Sequence, residues 1–371
     1  MSRKYAKLLI VTFCALIALP GSTLLIWRQP QPLPKVAEVK CPPFELSVAW
    51  LAAAEQYFIA NFGQKRRLVQ LHNLLGFLVV GDLQSNSVLA GRDGWLFLKQ
   101  SFGWQSFRSE KPMTSAERDG WERPLRAAKR DLDRRKVPLL YVIAPSKETI
   151  HPEYLPGGAT RARSVSRLDE MLPVLQGAGI EYLDLRSALQ ETKAAGALYD
   201  RLDSHWNGRG GEVAARLMLE RTASLLGLPP EYSAPVWSVT ARRSPNDLGA
   251  LLALDEYLTE DSNELQPTAR RAVRLEPPES VIIPSTDRTR RLVFQVADAS
   301  LPKALILRDS FGTMLVPALA EKFRRSVWLW TRTLDFRLLD QEKPDIVIYE
   351  ITERLFYDDP PQLRLPPKKR R

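Results

Sequence analysis

The sequence predicts an α/β fold, a doubly wound parallel sheet with helices on both faces. From residue 115 onward, amphipathic segments alternate with short apolar runs, as such a sheet requires. One of these runs, VPLLYVIA at residues 137–144, is apolar almost throughout, which is typical of a strand buried on both faces. The segment at 208–226 has helical periodicity and lies between an asparagine and a glycine, residue types that begin and end helices.

The predicted elements follow one another in order up to residue 228. Before the alternating region we expect a helix over 44–70, a strand over 74–80, and a turn with a strand over 91–98. The alternating region then predicts helices over 115–136, 164–176 and 208–226, and strands over 137–144 and 180–185. Asn207 is the expected N-cap of the last of these helices, and Gly227 is expected to end it.

Residues 229–302 interrupt the alternation. They are rich in Pro, Arg and Glu and contain only short strand-like runs, at 281–283 and 292–296, so we expect an insertion or lid. The alternation resumes with strands over 304–307, 327–330 and 346–351 and a helix over 311–325. The predicted domain therefore covers 44–355, and residues 356–371 form a basic, Pro-rich tail.

An apolar segment near the N-terminus predicts a membrane helix. Residues 8–27 carry no charge and follow Arg3, Lys4 and Lys7, a pattern typical of an anchor whose N-terminus stays in the cytoplasm. We therefore expect a stub and transmembrane anchor at 1–28, a Pro-rich linker at 29–43 and the folded body outside the cytoplasm. Cleavage of the segment as a signal peptide is the open alternative.

Composition restricts the partners and cofactors. The net charge is +10, but part of this excess lies at the N-terminus and part in the tail, without a zinc-finger or RNA-binding pattern. We therefore expect no nucleic-acid partner and a basic surface that faces an anionic polymer or lipid headgroups. G-x-G-x-x-G and P-loop motifs are missing from the sequence, and no cofactor is predicted. Cys41 is the only thiol beyond the apolar segment, so an intramolecular disulfide framework is excluded there.

Two short motifs carry the residue types of nucleophilic catalysis. In DSHW, Asp203 and His205 are one residue apart, and side chains at i and i+2 of an extended segment point to the same side. Asp203 would then hold one imidazole nitrogen and leave the other facing a nucleophile. In RDSFG, Ser310 follows a predicted strand, at the sheet edge where open α/β sheets bind ligands.

Each motif also has a structural interpretation. His205 is compatible with a half-buried residue that caps a helix beside a carboxylate, and Ser310 with a helix N-cap. A metal site would need a third ligand. Because His72 and His151 lie at no zinc-type spacing, no metal site is predicted.

Five segments in the same order resemble the alginate O-acetyltransferase group of SGNH-hydrolase-like proteins. They are GRDGWLFL, VIAPSKETIHPEYLP, LYDRLDSHWNGRG, NDLGALLAL and LILRDSFG, and the resemblance runs from about residue 89 to about residue 354. It implies an SGNH-hydrolase-like fold with a rearranged motif order, in which Asp and His precede Ser. It also implies that Ser310 is the nucleophile, His205 the general base and Asp203 its orienter, with backbone N–H groups near Ser310 stabilising the oxyanion.

The resemblance also suggests residues that contact the substrate. Lys147 and Arg308 lie at predicted strand ends and are candidates for contacting a carboxylate-bearing sugar. Trp206 is a candidate for stacking on a sugar, with a core position as the alternative. Asn246 and Asp247 either shape the site or turn the chain. The chain departs from the family pattern by placing Arg308 where a glycine precedes Asp-Ser.

The function that the resemblance implies is O-acetyl transfer. An acetyl group would pass through Ser310 to hydroxyls of an exported polysaccharide, anionic ones included, and a membrane-bound O-acyltransferase would be the donor. The single-pass protein would lie in the bacterial inner membrane with its catalytic domain in the periplasm. Two alternatives stay open: a carbohydrate acetylesterase with the same triad, and a non-catalytic glycan-binding or scaffold subunit of an export complex.

Overall fold

The computed structural model describes residues 43–44, 47–61, 65–77, 85–275, 291–360 and 363–364. The chain divides into two units, 1–81 and 82–371. The predicted anchor at 8–27 and Cys41 lie outside the described residues. Among the residues that are described, no helix is both long enough and apolar enough to cross a membrane.

The described part of the first unit is helical. It contains α1 (Val48–Asn61) and α2 (Lys65–Leu75), so the single helix expected over 44–70 is in fact two helices. The strand expected over 74–80 is wrong at its first residues, because α2 runs through Leu75, while 78–80 lie outside the described residues. A short apolar run looks alike in a buried helix and a buried strand, which explains the error.

The second unit alternates strands and helices. Its strands are β1 (Val88–Ala90), β2 (Leu96–Leu98), β3 (Leu139–Ala144), β4 (Glu181–Asp184), β5 (Trp237–Arg243), β6 (Asp261–Pro267), β7 (Val273–Leu275), β8 (Arg291–Gln295), β9 (Lys303–Arg308), β10 (Arg325–Trp330), β11 (Leu334–Asp335), β12 (Ile346–Thr352) and β13 (Leu363–Arg364). Its α-helices are α3 (Gly103–Arg108), α4 (Ser115–Arg135), α5 (Lys147–Ile150), α6 (Arg167–Gly177), α7 (Arg186–Thr192), α8 (Gly208–Leu226), α9 (Asp247–Leu251), α10 (Val316–Leu319) and α11 (Phe336–Glu342). Short 3-10 helices occur at Pro152–Tyr154, Lys193–Ala195, Pro230–Ser233, Phe311–Leu315, Ala320–Lys322 and Glu353–Tyr357.

A seven-stranded sheet organises the second unit, in the order β4-β3-β12-β9-β10-β8-β7. The first five of these strands are parallel, which confirms the predicted α/β sheet, whereas β8 and β7 join the edge antiparallel. Both edge strands belong to the predicted insertion at 229–302, so this segment extends the sheet as well as interrupting the alternation. Within the same segment β5 and β6 form a separate antiparallel pair, and residues 276–290 lie outside those described.

Apolar cores cover both faces of the sheet. In β3, Leu140 and Val142 belong to one core with α8, while Tyr141 and Ile143 belong to the other with α4 and α6. Successive residues of a strand face opposite sides, so a continuous apolar run supplies both cores. Each fully buried aliphatic side chain contributes roughly 1.5–3 kcal/mol. These two layers fix the sheet and therefore its carboxyl edge, where the predicted motifs lie.

Helix termini follow the capping residues that the sequence indicates. Asn207 accepts hydrogen bonds from the amides of Arg209 and Gly210 at the start of α8, and Gly227 ends the helix in the left-handed region with φ 62°. Thr114 begins α4 with a complete capping box to Glu117. Both helices were predicted to within one residue at each end, because the cap and the apolar periodicity agree.

The helix expected over 311–325 is broken into three short pieces. They are the 3-10 helix Phe311–Leu315, α10, and the 3-10 helix Ala320–Lys322. Pro317 lies at the first turn of α10, where its ring has no N–H to donate to the preceding turn. The proline therefore separates the turn after Ser310 from a regular helix.

The start of the predicted tail is part of the folded body. Phe356 is completely buried, and its ring lies 5.2 Å from that of Trp121 on α4. It belongs to the 3-10 helix Glu353–Tyr357, and β13 beyond it pairs with β11. The boundary expected at 355 therefore falls inside this helix.

Candidate active site

Ser310 lies at the carboxyl edge of the sheet, where β9 and β12 run side by side. Asp309 joins the two strand ends, because its Oδ2 accepts from the Thr352 amide at 2.8 Å and hydroxyl at 2.6 Å. Its Oδ1 accepts from the Phe311 amide at 2.9 Å, while the half-buried Ser310 makes no side-chain cap. Ser310 therefore occupies the N-cap position of the 3-10 helix Phe311–Leu315, but its hydroxyl does not cap it, because the Asp309 carboxylate accepts from the Phe311 amide.

The DSHW segment supplies a carboxylate–imidazole pair. Asp203 is almost fully buried, and its Oδ1 lies 2.8 Å from His205 Nδ1 and 2.9 Å from the His205 amide nitrogen. His205 Nε2 is buried and has no hydrogen-bond partner among the described residues. With Nδ1 held by the carboxylate, Nε2 is the nitrogen left to accept a proton.

The charges of the site alter the pKa values of this pair. Burial alone would raise the pKa of Asp203, but its hydrogen bonds to His205 and the imidazolium charge lower that pKa to about 2. Burial would lower the pKa of His205, but the hydrogen bond and negative charge of Asp203 outweigh it and raise that pKa. The carboxylate therefore stays ionised, and it stabilises the imidazolium that a general base forms.

Phe311 is the point where the two motifs meet. Trp206 Nε1 donates to the Phe311 carbonyl at 3.1 Å, and the Phe311 ring lies 5.0 Å from the imidazole of His205 and 5.1 Å from the indole. The residue after His205 is thus bonded to the residue after Ser310, roughly a hundred positions later in the chain. This contact brings the two sequence motifs to one place.

The turn at Ser310 offers fewer free amides than we expected. The Phe311 amide donates to Asp309, and the amides of Asp309 and Gly312 both donate to Glu350 Oε2 at 3.1 Å. Among the described residues, the Ser310 amide has no acceptor. Of the amides at this turn, that of Ser310 is therefore the one left to bind an oxyanion.

Asp247 adds a second carboxylate beside the imidazole. The residue begins α9, and its Oδ2 lies 3.5 Å from His205 Nδ1. Its oxygens also accept from the Ser204 amide at 2.7 Å and hydroxyl at 2.5 Å, and its own amide donates to Asp203 Oδ2. Burial and the charge of Asp203 raise the pKa of Asp247. The sequence left its role open, and this geometry places it at the His205 ring.

Asp203, His205 and Asp247 are close enough together to be considered as metal ligands. Asp203 Oδ1 and His205 Nδ1 are, however, only 2.8 Å apart and bonded directly to each other. Ligands on a tetrahedral zinc ion stand about 3.3 Å or more apart, since each bond is about 2.0–2.2 Å long. The geometry therefore fits a carboxylate–imidazole hydrogen bond better than a metal site.

Two of the proposed substrate contacts are buried in the fold. The Lys147 ammonium donates to the carbonyls of Leu96, Arg201 and Asp203 at 2.7–3.0 Å, which uses all three of its hydrogens. Burial also lowers the pKa of Lys147 to about 8. Trp206 is 1% exposed. Neither side chain can reach a sugar, so both correct the sequence interpretation: Lys147 ties the DSHW segment to β2, and Trp206 supports the turn.

The other two proposed contacts also have structural partners. Arg308 is buried, and its Nη1 donates to the Asp309 carbonyl at 3.0 Å and to Thr313 Oγ1 at 2.9 Å. Asn246 adopts φ 56° and caps α9 through a bond from the Gly249 amide. Asn246 therefore turns the chain so that Asp247 reaches His205, and Arg308 stabilises the turn at Ser310 through its bonds to Asp309 and Thr313.

Three side chains of this region were missed from the sequence. Trp330 is 44% exposed at the end of β10, in register with Arg308, whose guanidinium lies 5.0 Å from its ring centre. Glu350 is a buried carboxylate inside an otherwise apolar strand, and that interruption was the available signal. Phe311 gave no signal, because an aromatic residue after Asp-Ser has many structural explanations.

Comparisons with known proteins identify a family and a fold. The profile of a family described as "SGNH hydrolase-like domain, acetyltransferase AlgX" matches residues 88–333. The chain is 32% identical to the probable alginate O-acetylase AlgJ of Pseudomonas aeruginosa over 213 residues, 56% of this chain and 51% of that protein. It therefore spans about half the length of that relative. With the probable alginate O-acetylase AlgJ of Azotobacter vinelandii it is 25% identical over 312 residues, 81% of this chain and 78% of that protein.

Among solved structures, PatB1 of Bacillus cereus has a similar fold. The TM-score is 0.53 at 14% sequence identity, over 72% of this chain and 96% of that one. At this identity the likeness concerns the fold alone. Together with the family profile, it supports the predicted SGNH-hydrolase-like α/β fold.

Proposed function

The chain belongs to the SGNH hydrolase-like acetyltransferase AlgX family, and from this premise we propose that it transfers acetyl groups onto hydroxyls of a polysaccharide. The observation that carries the proposal is the meeting of DSHW and RDSFG at Phe311, with His205 Nε2 buried and unbonded within the described part of the chain. Acyl transfer needs a carboxylate-held imidazole that can reach a serine hydroxyl, and the 5.0 Å contact between the His205 and Phe311 rings, next to Ser310 in the chain, supports such an arrangement.

The proposed reaction has two half-steps. His205 Nε2 takes the proton of the Ser310 hydroxyl, Oγ attacks the acetyl carbonyl carbon, and the carbonyl π-electrons move onto oxygen. The oxyanion then reforms the carbonyl and expels the donor alkoxide, which receives the proton from His205. In the second half-step His205 takes the proton of a sugar hydroxyl, and the sugar oxygen attacks the carbonyl carbon of the acetyl-Ser310 ester. Ser310 Oγ then leaves and receives the proton from His205. Proton transfer of this kind contributes roughly 10²–10⁴-fold in rate.

The acceptor site is proposed to include Trp330. One face of its indole is covered by the Arg308 guanidinium, and the ring remains 44% exposed at the edge of the sheet that carries Ser310. An exposed aromatic ring whose other face is held by a guanidinium is suited to pack against the apolar face of a sugar. Trp330 would then take the role that the sequence suggested for Trp206.

The acceptor and the location of the enzyme are further parts of the proposal. The relatives from P. aeruginosa and A. vinelandii are named as probable alginate O-acetylases, which supports alginate, an anionic polysaccharide, as a first acceptor to test. We further propose, from the sequence, that residues 8–27 anchor the chain in a bacterial inner membrane with the domain in the periplasm, and that a membrane-bound O-acyltransferase supplies the acetyl group.

An experiment with an activated acetyl ester tests the function. The purified chain and its Ser310→Ala variant are incubated with 4-nitrophenyl acetate, with and without alginate, and acetyl on the polymer is measured. We expect Ser310-dependent acetylation of alginate. Release of acetate alone would identify an esterase instead. Equal rates for the wild type and Ser310→Ala would exclude both enzymatic functions and favour a glycan-binding subunit.

A further inference from the structure

Arg354 is a buried cation with no bonded partner in the described part of the chain. It is only 9% exposed, and its Nε is fully buried without a hydrogen-bond acceptor. No described carboxylate lies within ion-pair distance of its guanidinium. A guanidinium stays charged in any protein environment, so this charge is buried without an ion-pair partner among the described residues.

The fold brings this cation to the ring of Phe311, the residue that follows Ser310. β9 and β12 are parallel neighbours, and the Thr352–Asp309 hydrogen bonds hold their ends together. Ser310 is one residue beyond Asp309, and Arg354 is two residues beyond Thr352, so both leave the same edge side by side. The Arg354 guanidinium carbon lies 5.4 Å from the ring centre of Phe311, the residue after Ser310.

The carboxylates near Arg354 are engaged elsewhere. Glu353 Oε1 accepts from the Ser146 amide at 2.8 Å and from the Thr149 hydroxyl. Glu148 Oε1 accepts from the Leu98 amide at 3.1 Å. Burial raises the pKa of both carboxyl groups, which disfavours their ionised forms. The cation is therefore available to a group that is not part of the described residues.

An oxyanion at Ser310 has one free amide to bind it and needs a second donor. The amides of Phe311 and Gly312 are occupied, which leaves that of Ser310. Oxyanion sites of acyl transfer use two or more donors aimed at the oxygen that gains charge. We propose that the Arg354 guanidinium is the second donor, so that Arg354 is a catalytic residue of the proposed acetyl transfer.

This role requires no further reactant. When Ser310 Oγ attacks the acetyl carbon, the carbonyl electron pair moves onto the oxygen, and that negative charge pairs with the guanidinium. When the carbonyl reforms, the charge leaves with the alkoxide, and the guanidinium keeps all its protons throughout. Arg354 thus interacts most strongly with the transition state, as a catalytic group should.

Substitution of Arg354 tests the assignment, which rests on the proposed function. We expect Arg354→Met to lower kcat for hydrolysis of 4-nitrophenyl acetate by about 10²–10³-fold with little change in KM, as loss of one oxyanion donor does. Arg354→Lys, which keeps the charge, should recover part of that loss. The Tm of Arg354→Met should equal or exceed that of the wild type, because an unpaired buried charge has been removed.

The matched control is Arg135→Met. Arg135 also holds its guanidinium near a phenylalanine ring, 5.8 Å from Phe336, but it ends α4 just before the amino end of β3. Its kcat should equal that of the wild type. If Arg354→Met does not fold, Arg354→Gln, which keeps N–H donors without the charge, is measured in its place with the same expected loss of kcat.

The possible outcomes separate this inference from the proposed function. Wild-type kcat in a folded Arg354 variant, with Ser310→Ala inactive, would overturn the oxyanion role and leave the function standing. Unchanged ester hydrolysis with loss of transfer to alginate but not to a neutral polysaccharide would show that Arg354 binds the acceptor carboxylate, which also overturns it. If Ser310→Ala retains wild-type activity, the proposed function itself fails.

Discussion

Replacing Asp247 with Asn should move the pH dependence of the enzyme to lower pH. Asp247 Oδ2 lies 3.5 Å from His205 Nδ1. At an effective dielectric constant near 20, two unit charges at that distance interact by about 4–5 kcal/mol, equivalent to roughly 3 pKa units. The Asp247 side chain is 34% exposed, so solvent screens the interaction. The raised pKa of Asp247 also reduces the negative charge of this carboxyl group at the acidic end of the pH–rate profile.

We therefore expect a shift of about one pH unit. The sign follows from the role of His205 as base. Its neutral form is active, so kcat/KM rises as pH increases through the His205 pKa. The negative charge of Asp247 raises the His205 pKa. Removing this charge lowers the His205 pKa, so the acid limb of the pH–rate profile shifts to lower pH.

The assay is kcat/KM for 4-nitrophenyl acetate measured across the acid limb. Asp119→Asn is the control, because it changes the net charge by the same amount at an exposed position on α4. It should leave the limb in place. A limb that stays fixed or moves to higher pH in Asp247→Asn, while the variant folds normally, would refute the coupling of Asp247 to His205.

Three further substitutions test the positions of buried and exposed side chains. Trp206→Phe removes the donor to the Phe311 carbonyl. We expect the free energy of unfolding to fall by about 1–3 kcal/mol and kcat for the aryl ester to fall with KM unchanged. A wild-type kcat would contradict the role of Trp206 in supporting the turn at Ser310. Lys147→Met removes the ammonium that donates to three carbonyls, although the Arg201 carbonyl still accepts from the Leu96 amide. Urea unfolding should therefore show a loss of about 1–3 kcal/mol, whereas a raised KM for alginate at unchanged stability would restore Lys147 as a substrate contact. Trp330→Ala should raise KM for the polysaccharide about 3–10-fold, the worth of one aromatic contact, and an unchanged KM would exclude the ring from the acceptor site.

Much of the sheet was predictable because its signals are local. The apolar run at β3 and the capped periodicity of α8 depend on residues close in sequence, and the structure confirms both within two residues at each end. Of the two edge strands, β8 corresponds to the strand-like run expected at 292–296, whereas β7 was not anticipated in its polar segment. β8 joins the sheet by pairing with β10 and β7 by pairing with β8, and no local pattern encodes these partners.

The candidate site also combines features that local sequence predicts with features that only tertiary packing determines. The i, i+2 spacing predicted the Asp203–His205 bond, because an extended segment brings these side chains together without help from the rest of the fold. Whether a polar side chain faces solvent depends on what packs over it, so the sequence placed Lys147 at the substrate when it is buried. Arg354 escaped notice for the same reason, since its contact with the Phe311 ring arises only when β12 pairs with β9.

The most direct test of the account is the covalent intermediate on Ser310. The wild type is treated with 4-nitrophenyl acetate, quenched in acid within the first turnover, digested and analysed by mass spectrometry. We predict one acetyl group on the peptide that contains Ser310, no such adduct in Ser310→Ala, and slow formation in His205→Ala. An acetyl group on another residue, or a wild type that turns over the ester with no adduct on Ser310 at any time point, would contradict the proposed mechanism.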